Sequence, residues 1–282
     1  MPSGVMPGTK YIVYVEDRVT QIYLSNLQPN RSLVQFIIVG GRNRVLGCLE
    51  DDFRNNVELT LGVTDRDFDR NAKLGWCITD VGREYYCLPA HEIENYLLDF
   101  EAIESFRCPG VNPQKPASHW LEIAKKIASG YLYSVVYNQV LSDLQREYSK
   151  NYPRHLPLSC GPGADYGIML NAVNIETETE LVVKLLGETW FAHAAQRFES
   201  LFSSESLKER VSQAVEYYKS ILDRKGYDWV YAFPGKEMYK AIANSMSLTD
   251  SYSEDLTKYI ARTQMANNTV PSDIQDLLTK FT

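Results

Sequence analysis

The sequence predicts an α/β fold: a parallel sheet flanked by helices, with a large helical insertion and a helical C-terminal region. Three observations carry this. The first third alternates short β-branched runs with stretches of helical period, in the order strand, helix, strand, helix, strand. The runs end in acidic residues or Gly-Gly, where the chain must turn. The middle of the chain keeps a helical period over long stretches and is set off by segments rich in Pro and Gly.

Residues 11–16 (YIVYVE) are short, β-branched and aromatic, and bounded by charge, as a buried strand is. Within 18–27, Val19, Ile22, Tyr23 and Leu27 fall at helical spacing. Residues 34–39 (VQFIIV) read as a second strand closed by Gly40-Gly41, 44–55 as a second helix, and 58–64 (ELTLGVT) as a third strand. Successive parallel strands require right-handed crossovers, and ligands of such sheets sit beyond the carboxyl ends of the strands. Residues 76–79 and 85–88 predict a hairpin or a last pair of strands, and Ile93, Tyr96 and Leu97 give a helix face over 91–100. Residues 109–116 hold three prolines and one glycine and mark a junction. Helical period runs from 119 to about 148 and from 176 to about 225; the loop between them carries GPGADYG, which lacks GxGxxG spacing. WVYAF at 229–233 predicts a returning strand stopped by Pro234-Gly235, and short helices follow. The expected plan is 1–108 for the first part of the sheet domain, 109–226 for the insertion, 227–246 for the returning strand and its helix, and 247–282 for the C-terminal helices.

Composition narrows the function. Hydrophobic residues at 44% and charged residues at 23% exclude a disordered chain. Lys and Arg number 29 against 36 Asp and Glu, a net charge of −7, which excludes an indiscriminate coat for nucleic acid. No run approaches the roughly 20 apolar residues that span a bilayer, and the N-terminal residues lack the pattern of a secretory signal. Five scattered cysteines without CxxC spacing argue against a zinc or disulfide framework and for small buried side chains in a reducing cytosol. A cytoplasmic protein without a membrane partner is expected.

Three acidic features stand at expected strand ends: Glu16, the pair Asp65 and Asp67 in DRD, and the segment His91-Glu92-Ile93-Glu94. Carboxylates at i and i+2 on an extended strand end point the same way. With a glutamate from a neighbouring strand they offer hard oxygen ligands for Mg²⁺ or Mn²⁺ and hence phosphate chemistry. The alternative for DRDFDR is a solvated loop of alternating charge. An EF-hand fails, because Arg70 and Trp76 replace its Gly and Glu. A haloacid-dehalogenase-type phosphatase would want Thr or Val where Asp69 stands. A response-regulator receiver would use Glu16 and Asp17 as its acidic pair, Asp65 as phosphoacceptor and Lys115, but no strand leads into Lys115.

Together VYVED at 13–17, GVTDRDFD at 62–69, HEIENYLL at 91–98 and FPGKEMYKAI at 233–242 resemble the Toprim domain of OLD-like nucleases. More narrowly they resemble the stand-alone Toprim effectors that accompany an ABC-type ATPase in PARIS anti-phage defence. The resemblance covers about residues 10–107 and 228–246. It implies a Toprim-like core and a Mg²⁺- or Mn²⁺-dependent endonuclease that acts as a toxic, abortive-infection effector. An OLD-like ATPase sensor would restrain it, the substrate would be tRNA or other RNA in preference to DNA, and the active form would be a homodimer. It further implies Glu16 as metal ligand and water-activating base, Asp65 and Asp67 as metal ligands, and Glu94 as ligand of a second metal with Glu92 assisting. Lys236 would stabilise charge developing on phosphate; a Gly-Lys step at a helix start suits anions independently. The common pattern has glycine after the glutamate and aspartate four residues after it, whereas this chain has Asp17 and Thr20. A catalytically degenerate Toprim-like adaptor that binds an ATPase is the alternative those two positions favour.

Other features have structural and functional readings side by side. His91 is a proton shuttle or a packed histidine, and Glu92 alone would suit a first helical turn. Arg42 and Arg44 beside Gly40-Gly41 bind a phosphate backbone or form a solvated helix start. Tyr131, Tyr133, Tyr137, Tyr217 and Tyr218 stack on bases or pack the insertion.

Overall fold

The computed structural model describes residues 11–28, 33–66, 73–108, 115–151, 175–187 and 203–281. The chain divides into two compact units, one of Met1–Arg66, Asn71–Ile127 and Pro234–Thr282, the other of Asp67–Arg70 and Ala128–Phe233.

The first unit is built on a five-stranded sheet of β1 (Tyr11–Val15), β2 (Val34–Ile38), β3 (Thr60–Thr64), β4 (Gly75–Ile78) and β5 (Glu84–Cys87). Its order is β2-β1-β3-β5-β4. The pairs β1–β2, β1–β3 and β3–β5 are parallel, and β4 runs antiparallel to β5 at the edge. The α/β expectation holds in this form, a mostly parallel sheet flanked by helices. Every residue of β3 is buried, as a strand covered on both faces requires.

Helix α1 (Arg18–Leu27) follows β1 directly, with Asp17 as its N-cap accepting the Thr20 N–H at 2.8 Å. It buries Ile22, Tyr23, Leu24 and Leu27. Helix α2 (Arg42–Arg54) crosses from β2 to β3 and packs Val45 and Leu49 on Ile12 and Tyr14 of β1. Tyr14 also donates its hydroxyl to Asp52 of α2 at 2.8 Å, in the interior. Tyr14→Phe removes that donor from a buried carboxylate, so an expected loss of about 2 kcal/mol will appear as a lower urea midpoint at unchanged slope.

Beyond β5 the chain forms a tight 3-10 turn, Ile93–Leu97, and then the short helix α3 (Phe100–Ser105), where one continuous helix was expected over 91–100. All five residues of the turn are buried, which explains why their apolar spacing imitated one helix face. Helix α4 (Ala117–Gly130) begins just after Lys115.

The second unit contains α5 (Leu132–Asn151), α6 (Glu178–Leu186) and α7 (Ser204–Leu222). Leu181, Leu185, Val211 and Val215 are buried there, and Arg210 holds Glu147 of α5 in a two-pronged ion pair at 2.8 and 3.0 Å. Tyr137 and Tyr218 are buried and Tyr217 is 46% exposed, so packing accounts for the first two. Residues 152–174, including GPGADYG, lie outside the described residues.

The expected returning strand at 229–233 is absent: Asp228–Ala232 is a 3-10 turn. Its β-rich composition misleads because strand preference measures fit to a half-buried pleated surface. Here Trp229 and Val230, neighbours in sequence, are both buried, a pattern that a turn satisfies and an alternating strand does not.

After Pro234 the chain rejoins the first unit through α8 (Gly235–Ser245), α9 (Asp250–Asn267) and α10 (Ser272–Thr279). These helices are core rather than appendage. The Tyr23 hydroxyl of α1 donates to Gln264 of α9 at 2.7 Å, and Leu256, Ile260, Ile274 and Leu277 are buried. Phe281 sets its ring edge-on to Tyr11 of β1 and Phe36 of β2, with centroids 5.7 and 6.2 Å away.

Candidate functional site

Glu16 follows β1 and Asp65 follows β3, and these strands are adjacent and parallel. The two acidic residues therefore meet at the carboxyl edge of the sheet, the position where α/β folds hold ligands. The Asp65 N–H donates to Glu16 Oε1 at 2.9 Å, which fixes one carboxylate against the backbone of the other residue. Asp65 Oδ1 in turn accepts the Ile93 N–H at 3.1 Å, so the 3-10 turn is tied to the strand end.

The turn is held on its other side by α8. Glu92 caps the turn through a reciprocal arrangement with Asn95, whose side-chain oxygen accepts the Glu92 N–H at 2.7 Å. Glu92 Oε2 also accepts the Lys236 N–H at 2.8 Å, in the first turn of α8. An internal carboxylate thus fills the anion-favouring start of α8, while the Lys236 side chain is exposed. Gly235 permits this closeness, because a Cβ there would stand 2.5 Å from the Asn95 backbone nitrogen. One hydrogen-bonded series accordingly joins four separate segments of the sequence, from Glu16 through Asp65 and the 93–97 turn to Glu92 and Lys236.

Glu94 lies in the same turn and is 3% exposed. Burial pushes its carboxyl well above the usual range; the charges of Glu92 and Asp17 push the same way, against Lys236. Tyr239 of α8 is pushed up to about 12 by burial, with a contribution from Glu94, and its hydroxyl reaches Ser253 and Thr257 of α9. Of these groups, Tyr239 and Asn95 escaped the sequence reading, since a tyrosine and an asparagine within helical runs carry no signal of their own. Asp17, which stands where the family pattern has glycine, proves to be the N-cap of α1.

His91 is a packed histidine. It is 2% exposed, and burial, then the Arg66 charge, bring its pKa down to about 3. The folded value lies below the ordinary 6.5, so the stability is full above pH 6.5 and is lost as the pH falls toward 3, because only the unfolded chain takes up the proton. The expected slope is at most about 1.4 kcal/mol per pH unit. Urea titrations at pH 7 and 5 measure it by difference: His91→Gln removes this histidine's share, while the raised Glu94 carboxyl contributes with the opposite sign in both proteins.

Two of the acidic residues expected to bind metal come together here. Glu16 and Asp65 supply carboxylate oxygen from neighbouring strand ends. The crowded negative charge at Glu94, Glu92 and Asp17 is of the kind a bound cation relieves. Glu92 serves the backbone instead, with an oxygen on the Lys236 N–H and the capping arrangement. Among the described residues no three His, Cys, Asp or Glu side chains form a group able to hold a metal ion. Asp67, the second aspartate of DRD, lies outside the described residues. Scanned against protein-family models the chain matches none, and a search of curated proteins finds no match either.

Proposed function

We propose that the chain is a Toprim-like, Mg²⁺- or Mn²⁺-dependent endonuclease that hydrolyses phosphodiesters. The observation that carries this reading is the Asp65 N–H bond to Glu16 at the carboxyl edge, continued by hydrogen bonds to the segment that carries Glu94 and Lys236. Four motifs far apart in sequence converge on one network, which an accidental match to each would not require.

In this reading Glu16, Asp65 and Asp67 would hold the cation, with Glu94 available to a second; the cation would supply Lewis-acid polarisation of the phosphate and acidify water. Glu16 is the base that accepts the attacking water's proton as the water oxygen bonds to phosphorus. The phosphorus–oxygen bond to the leaving strand breaks, and the leaving oxygen takes a proton from solvent. Lys236 places its ammonium against charge growing on the phosphate oxygens. Asp65 keeps Glu16 in register with the strand end, and Glu92 fixes the first turn of α8 that carries Lys236. Restraint by an ABC-type or OLD-like ATPase, a tRNA or other RNA target, action in anti-phage defence and dimerisation on activation rest on the resemblance of the four motifs.

A non-catalytic adaptor is favoured by one observation: Thr20, at the position of the family's aspartate, is 2% exposed within α1 and offers no carboxylate. The receiver reading is disfavoured, since a receiver of order 2-1-3-4-5 needs five parallel strands, whereas β4 is an antiparallel edge here. Incubation of the purified chain with total RNA and with plasmid DNA, with and without Mn²⁺, tests the proposal. Cleavage that needs the metal is expected. A folded chain that still binds an ATPase partner but cuts neither substrate would favour the adaptor.

A further inference from the structure

The Gly40-Gly41 step and the two arginines after it have no part in the network just described. Gly40 and Gly41 adopt φ of 79° and 27°, a left-handed path that turns the end of β2 into α2 and that other residues rarely adopt. Gly41 is the N-cap and offers no side chain to the first turn, and that turn contains no acidic residue. The start of α2 therefore presents backbone N–H groups and the positive end of a 13-residue helix at the same sheet edge as Glu16 and Asp65. Arg44 folds back over it, with a guanidinium nitrogen 3.5 Å from where a Gly40 Cβ would stand. Arg42 lies beside the Tyr85 hydroxyl.

A second, independent observation comes from beneath the helix. A Cβ on Gly62 would strike Val45 and Leu49 of α2, so the Gly62 face of β3 is the face that α2 covers. Thr64 shares that face by alternation. Two strand residues advance about 6.7 Å, and α2 runs back over the strand at about 1.5 Å per residue. The Thr64 side chain consequently points toward the first turn of α2, about four residues before Val45. Thr64 is fully buried, and its hydroxyl has no hydrogen-bond partner among the described residues. A buried hydroxyl left so is costly unless a water or ligand oxygen meets it.

We propose that the start of α2, with Arg42, Arg44 and the Thr64 hydroxyl, is a phosphate subsite. It holds a phosphodiester of the substrate strand beside the one that is cut. The N–H groups and guanidinium groups take the anionic oxygens, and Thr64 bonds to one of them directly or through a single water. The assignment of the phosphate to a nucleic-acid strand rests on the nuclease reading; the affinity for phosphate does not.

Two measurements on the whole chain separate these. The first titrates inorganic phosphate against chloride at equal ionic strength and follows the amide resonances of Gly41, Arg42 and Asn43. Saturable shifts specific to phosphate are expected, with affinity about tenfold or more weaker in Arg44→Gln. In Thr64→Val the affinity should fall while the stability of the phosphate-free protein holds or rises, since the substitution removes an unmet hydroxyl; a purely structural hydroxyl would instead lower stability. Shifts that chloride reproduces, or equal affinity in Arg44→Gln, overturn the subsite. The second measures binding of an RNA hairpin in metal-free buffer across a salt series. Arg44→Gln should reduce the slope of log affinity against log salt by about 0.7–0.9, and an unchanged slope overturns the assignment to the substrate strand. If neither protein binds the hairpin, the assignment to an RNA substrate strand is overturned and the phosphate titration alone decides the subsite.

Discussion

Gly235→Ala is expected to destabilise the protein by about 3 kcal/mol and lower its melting temperature by roughly 6–12 °C. The added Cβ would lie 2.5 Å from the Asn95 backbone nitrogen, 2.7 Å from its Cγ and 2.8 Å from its Nδ2. None of these atoms can yield freely. The Asn95 side chain already accepts the Glu92 N–H, and Glu92 accepts the Lys236 N–H next to the mutated residue. Relief therefore requires α8 to move off the 93–97 turn, which breaks the series that ends at Lys236. Gly47→Ala is the control. It lies within α2 with nothing within 4 Å of its added Cβ, and it should stabilise by about 0.5–1 kcal/mol. Differential scanning calorimetry of the two variants measures both effects.

Glu16→Gln should abolish catalysis without unfolding the chain. The amide oxygen of glutamine can still accept the Asp65 N–H, so the strand ends stay tied and the loss is one of charge and basicity. Changes around metal ligands typically cost 10–100-fold in metal affinity or activity, so loss of a ligand that is also the base should exceed about 100-fold. Glu16→Ala should match it in activity but also lose stability, because the Asp65 N–H is left without that acceptor. Cleavage assays paired with urea unfolding separate the two substitutions. Equal activity in Glu16→Gln and the parent chain would remove Glu16 from the chemistry.

Much of the sheet was legible because its strands are short apolar, β-branched runs, buried throughout in β3, nearly so in β1 and only in part in β2. YIVYV, VQFII and TLGVT read as strands for that reason, and the structure has them as β1, β2 and β3. The helical spacing of Val19, Ile22, Tyr23 and Leu27 marked α1, while the role of Asp17 as its N-cap emerged only in the structure. Spatial order was not legible: no local pattern says that β5 pairs with β3 and that β4 is the edge. Nor could spacing separate the two glutamates of one short segment. Glu92 accepts backbone N–H groups and Glu94 is buried beside like charges, a difference set by α8, which lies some 140 residues further on. WVYAF misled because its burial comes from neighbouring residues in a turn. The C-terminal helices looked like a tail because no local pattern shows what they pack against, yet Gln264, Asp273 and Phe281 reach into the sheet unit: Gln264 donates to the Tyr96 carbonyl at 3.0 Å, and the Tyr96 hydroxyl donates to the Asp273 carboxylate.

The proposed function requires that the adjacent strand ends carrying Glu16 and Asp65 hold a divalent cation. Electron paramagnetic resonance of Mn²⁺ titrated into the purified chain tests it most directly, with Glu16→Gln and Asp65→Asn in parallel. Saturable binding by the parent chain is expected, with its loss in both variants while each remains folded. Binding of equal strength in all three proteins, or none by the folded parent chain at millimolar Mn²⁺, would contradict it.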